Sequence, residues 1–107
     1  MNTKPSHFES LPMTITESGL VQLGNLIEEY QLIKNLSDYK LAQLHILLLA
    51  YYFETKNIIH EEIIDEIKIH FGKHSDKGEK FIKKAIKSLH ENGSLGRNSN
   101  FNRGEFN

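Results

Sequence analysis

Between Leu41 and Phe53 the chain reads LAQLHILLLAYYF, apolar at almost every position. Wound into a helix at about 100° per residue, this run has no polar side to offer to water. A helix that is apolar nearly all round belongs at the centre of a bundle, with other elements over its flanks. Ser37-Asp38 supplies a start signal, since a serine hydroxyl can accept one of the free N–H groups of a first turn. A helix is therefore predicted from about Asp38 to Thr55. His45 inside it reads as a core or boundary residue. Tyr51, Tyr52 and Phe53 read as core, with a stacking platform for bases as the other reading. The run falls short of the roughly 18 to 20 residues that cross a bilayer. No apolar targeting segment occurs in the first twelve residues, and cysteine is absent, which suits a cytoplasmic protein.

A length of 107 residues fits one domain with one modest core. Residues 1–13 hold both prolines and no periodicity, and read as a loosely held arm. Thr14-Ile15-Thr16-Glu17 fits a capping box, with the Thr14 hydroxyl on a free N–H and Glu17 reaching back. The helix that follows, within 14–36, has Leu20, Leu23, Leu26, Ile27, Tyr30 and Ile33 as its apolar stripe. Gly24 weakens it by about 1 kcal/mol relative to Ala unless a neighbour packs close there. Val21 and Leu32 fall off the stripe, either merely exposed or serving a partner. Ile58-Ile59 is enough for one rung of a small sheet. A helix over about His60–Phe71 places Ile59, Ile63, Ile64, Ile67 and Phe71 inward and Glu61, Glu62, Asp65 and Glu66 outward. Gly72 closes it, and Gly72 to Gly78 reads as a long polar turn.

The stretch from Asp76 to Gly93, DKGEKFIKKAIKSLHENG, divides cleanly. On a helix, Phe81, Ile82, Ala85, Ile86 and Leu89 share one arc, and Lys77, Lys80, Lys83, Lys84 and Lys87 share the opposite one. Ser75 or Asp76 is the expected cap, and Asn92-Gly93 the stop. The lysine arc is either a solvated face or a surface for a polyanion. Net charge is −1 for the whole chain, but residues 1–72 carry five Lys/Arg against ten Asp/Glu, and residues 73–107 carry eight against four. An acidic front is joined to a basic back, which suits either polyanion attraction or head-to-tail self-association. Beyond Gly93, Leu95 and Phe106 are placed to point inward from two short strands, with the Asn/Ser/Gly stretch between them as a hairpin tip.

From Asp38 onward, the order LAQLHILLLAYYFETKN, IIHEEIIDEIKIHFG, EKFIKKAIKSLHENGSLGR resembles a winged helix-turn-helix domain over about two thirds of the chain. The resemblance implies a mainly α fold. A winged helix-turn-helix-like three-helix core over 37–107 would carry an extra N-terminal helix, 14–36, and a short C-terminal β-hairpin wing. It also implies DNA binding by a small transcriptional regulator. The basic helix, 76–92, would lie in a major groove with Lys77, Lys80, Lys83, Lys84 and Lys87 on phosphates. Arg97, Asn98, Asn100 and Arg103 on the wing, 94–106, would reach a neighbouring phosphate or the minor groove. The extra helix is a candidate homodimer contact. The alternative is a protein-interaction module, a small adaptor or inhibitor that does not bind DNA. Two departures from the family pattern are His60 where a better cap is usual, and the long turn before the basic helix.

Little points to catalysis, and no cofactor or metal is expected. His70 and His74 have metal-ligand spacing with His60 and Glu66 available, but Gly72 interrupts the helix that would align them. No cysteine nucleophile, phosphate-cradling glycine loop or Ser/His/Asp arrangement occurs. The paired carboxylates Glu61-Glu62 and Asp65-Glu66 read as an ordinary solvated face.

Overall fold

The computed structural model describes residues 14–73 and 75–96. Within them the chain runs β1 (Thr14–Ile15), α1 (Glu17–Ile33), α2 (Asp38–Thr55), α3 (Glu61–Gly72), α4 (Ser75–Glu91) and β2 (Leu95–Gly96). Four helices and a two-stranded antiparallel sheet make a mainly helical fold. No helix among the described residues is long and apolar enough to cross a membrane.

The all-round apolar helix is the hub. α2 packs against α1, α3, α4 and β1, most extensively against α4. Ala42, Leu44, Leu47, Leu48 and Ala50 are essentially solvent-free, so apolar area leaves water on several sides of one cylinder at about 25 cal/mol per Å². Its bounds are those expected, and Ser37 caps it by accepting the Lys40 N–H at 3.2 Å. Tyr51 and Phe53 pack against the core while Tyr52 is more open. α3 buries Ile63, Ile64, Ile67 and Phe71 and turns Glu61, Glu62, Asp65 and Glu66 outward, and Ile59 just before it is half-buried.

Several expectations fail for identifiable reasons. The cap of α1 is Thr16 and not Thr14: the Thr16 hydroxyl accepts the Gly19 N–H at 2.9 Å, and Thr14 lies in β1. Thr14 has Glu17 three residues on and Thr16 has Gly19, so the local signal favours Thr14, and sheet pairing overrides it. The stripe of α1 is narrower than the pattern suggested. Leu23 and Leu26 are buried, but Leu20 and Ile33 are 45% and 54% exposed, because α1 covers α2 along one line only. Ile58-Ile59 forms no strand, and Ile58 is exposed. The rung pairs β1 with β2 instead, Thr14 opposite Gly96 and Ile15 opposite Leu95.

The long turn expected from Gly72 to Gly78 is also absent, since α4 already begins at Ser75. Ser75 and Asp76 are therefore helical residues and not the cap. Gly78 is buried inside α4, where a Cβ would come within 3.1 Å of the Phe71 Cβ. A glycine that reads as turn punctuation is a notch that lets α3 and α4 approach.

The sheet closes the molecule. The Thr16 N–H donates to the Ser94 carbonyl at 3.1 Å, and the Thr16 hydroxyl faces the carbonyls of Gly93 and Ser94 at 2.5 and 3.0 Å. Gly93 has φ +84, the left-handed value at which glycine is unstrained. The N–H of Gly93 returns to His90 O at 3.3 Å and that of Ser94 to Leu89 O at 2.9 Å, which ends α4 as Asn92-Gly93 implied. Gly19 in turn lies against Ser94: a Cβ there would sit 2.1 Å from the Ser94 oxygen. The start of α1 and the end of α4 are thus held backbone to backbone.

Candidate nucleic-acid interface

α4 carries the charge pattern its sequence announced. Ala85 and Leu89 are fully buried against the core, and Phe81, Ile82 and Ile86 border them. Lys77, Lys80, Lys83, Lys84 and Lys87 are all exposed. From Lys77 to Lys87 the stripe rises about 15 Å at 1.5 Å per residue. Among the described residues, only Lys83 of these five meets a carboxylate, Glu79 at 4.0 Å, with both side chains more than three-quarters exposed. An ion pair that open is worth little, so the stripe keeps nearly all of its positive potential. Acids stand at its two ends, Asp76 in the first turn and Glu91 in the last.

Beside the stripe lies an open groove of about 390 Å³, lined by Tyr39, Phe81, Lys84, Lys87, Ser88 and Glu91. The Lys84 Nζ lies 6.0 Å from the Phe81 ring centroid, at the outer limit of a cation–π contact. The floor is fixed from below: buried Gln43 donates to the Ser88 hydroxyl at 3.2 Å, which donates to the Ala85 carbonyl at 3.1 Å. Tyr39 brings α2 into this surface, a contribution that the sequence reading missed. Its only local signal is the four-residue offset from Gln43, which puts both on the side of α2 that meets α4.

Arg97, Asn98, Asn100 and Arg103, together with Phe106 and the hairpin tip, lie outside the described residues, as do the arm 1–13 and His74. Leu95 is buried as expected. Its strand partner, found among the described residues, is β1.

A second concavity of about 200 Å³ lies between α1, α2 and α3, lined by residues that include Tyr30, Asp38, Glu66 and His70. The Tyr30 hydroxyl donates to Glu66, and His70 Nε2 lies 2.9 Å from Asp38 Oδ1. The bond to Glu66, with burial and the carboxylate charge, pushes the Tyr30 phenol up to about 12. His70 and Asp38 join α3 to α2, and Tyr30 and Glu66 join α1 to α3. Among the described residues no group of three or more His, Asp or Glu is arranged to hold a metal ion.

His45 is the other polar group of note. Both of its ring nitrogens are buried without a hydrogen-bond partner. Burial, and to a lesser extent the Lys68 charge, hold it below its ordinary value of 6.5.

No family model, no curated protein and no solved structure matches the chain.

Proposed function

We propose that this chain is a DNA-binding protein of the winged helix-turn-helix kind, a small cytoplasmic transcriptional regulator that works by binding and not by catalysis. The observation that carries the reading is the lysine stripe of α4, five exposed ammonium groups of which one has a carboxylate within reach among the described residues. Held on one rigid helix, such charges act together on a polyanion. Two features of the fold agree with it. Two consecutive helices, α3 and α4, are joined by a short link, Lys73 and residue 74, as in a helix-turn-helix, whose turn is commonly a residue or two longer. And α4 leads through Gly93 directly into a strand, from which a wing over 94–106 would extend.

Lysines bind phosphates as point charges and carry little sequence choice. The expected behaviour is therefore salt-sensitive binding dominated by the backbone. Binding of a labelled duplex at about 50 and about 200 mM salt tests it, because each phosphate contact adds roughly −0.9 to the log–log slope. Steep salt dependence, lost in Lys83→Glu/Lys84→Glu with an unchanged circular dichroism spectrum, supports the reading. Absence of binding at the lower salt to random-sequence duplex and to a pooled genomic library overturns it. A protein partner is the second reading. It is favoured by the acidic outer face of α3, since Glu61, Glu62, Asp65 and Glu66 would repel a phosphate backbone passing close to that helix.

A further inference from the structure

We infer that the groove beside the lysine stripe takes one unpaired base of a single-stranded DNA, with Tyr39 and Phe81 against the base, Lys84 and Lys87 on its phosphates and Glu91 on its polar edge. The inference rests on the reading of α4 as a DNA-facing helix and names the form of DNA that this part of it fits. Phe81, Lys84, Ser88 and Glu91 step by three, four and three residues along α4, so they share one face. Tyr39 joins them from the first turn of α2. The space they line, about 390 Å³, is at the small end of the roughly 300–1,000 Å³ of small-ligand clefts. That is room for one nucleotide and far too little for a duplex.

The chemistry of the lining selects the occupant. Two aromatic rings, both half-buried, give a base the π-surface on which single strands are held. A paired base is stacked on its neighbours and cannot reach such a surface without leaving the duplex. Lys84 and Lys87 border the rings, and Lys80 continues their line one turn back, which gives the phosphates of the strand a track. Glu91 breaks that track. Its carboxylate lies in the last turn of α4, where the helix dipole is also negative, and it repels a phosphate. It suits hydrogen-bond donors instead. Guanine alone among the bases presents two adjacent donor groups on its pairing edge, N1–H and the N2 amino group, and one carboxylate can accept both. In a duplex cytosine engages that edge, so only an unpaired guanine offers it. The floor is fixed, because Ser88 is held between the Gln43 amide and the Ala85 carbonyl.

Fluorescence anisotropy tests it with a labelled thymidine oligomer of about 12 nucleotides, made with and without one central guanine. A duplex of the same length is measured beside them, all at about 50 mM salt. The single guanine should tighten binding about fivefold or more. Tyr39→Leu should weaken the guanine oligomer about fivefold or more, and Tyr39→Phe, which restores the ring, should recover it. Glu91→Gln should remove most of the guanine preference. The ratio is the readout there, because losing the charge alone tightens both oligomers alike. Unchanged circular dichroism spectra show that the variants fold. Equal binding of the two oligomers, or a Tyr39→Leu chain that binds the guanine oligomer as the unaltered chain does, overturns the inference. Duplex binding that persists in that case leaves α4 as a duplex-facing helix, and only the base site falls. Binding of the guanine oligomer with none of the duplex keeps the base site and removes the duplex reading. Binding of neither removes both, and leaves the groove to a protein partner.

Discussion

Gly19 and Gly24 lie five residues apart on α1 and carry opposite consequences. At Gly19 an added methyl would enter the space of the Ser94 oxygen and lie 2.8 Å from Ile15 Cγ1. Backbone has to move, so Gly19→Ala should destabilise by about 2 kcal/mol or more, as overpacking commonly does. At Gly24 the space is open, and Gly24→Ala should stabilise by about 0.5–1 kcal/mol through the unfolded chain's lost freedom. Urea denaturation of the pair reads both signs. His45 makes stability depend on pH. The folded state holds it below 6.5 through burial and the Lys68 charge, so the unfolded chain takes up the proton first. Stability should be flat above about pH 6.5 and fall as pH drops through that value toward the folded one. His45→Leu should flatten the profile over that window. It should also raise stability by about 1 kcal/mol, because two unpartnered buried nitrogens disappear.

At the scale of elements, the period of the sequence was a good guide wherever burial alone decides. The bounds of α2 follow from Ser37 and an apolar run that has nowhere else to go. The two faces of α4 follow from counting. What the sequence concealed was set by partners distant in the chain. β1 is two residues long and exists because Leu95 comes to lie beside it. Thr16 prevails over Thr14 for the same reason, Gly78 reads as a turn until Phe71 is placed against it, and Tyr39 joins the candidate site only because α2 crosses α4 there. The candidate interface was thus legible in its charges but not in its groove. Its lysines should act additively, being spread along the helix with little coupling to acids. Replacing Lys77, Lys80 or Lys87 singly with Gln should reduce the salt slope by about 0.9 wherever that residue meets a phosphate. Filter binding across a salt series measures it, residue by residue.

At the scale of the whole molecule, Thr16 bridges positions 78 residues apart in sequence. Its hydroxyl caps α1 and holds the 93–94 backbone, and Thr16→Val keeps the side-chain shape while removing both bonds. The expected loss is about 1–2 kcal/mol. Closing so long a loop is costly before its contacts can reward it. The loss should therefore appear mainly as faster unfolding, with the folding rate little changed. Stopped-flow chevrons separate the two limbs. The same closure orders events during synthesis. While the chain is still emerging from the ribosome, α1, α2 and α3 can gather, but Gly19 and Thr16 have no counterpart until Leu95 has cleared the exit tunnel. The basic helix and the clasp that fixes its end are delivered almost together. A product cut short before Gly93 would thus display the lysines on a helix that lacks its glycine stop and its tie to Thr16.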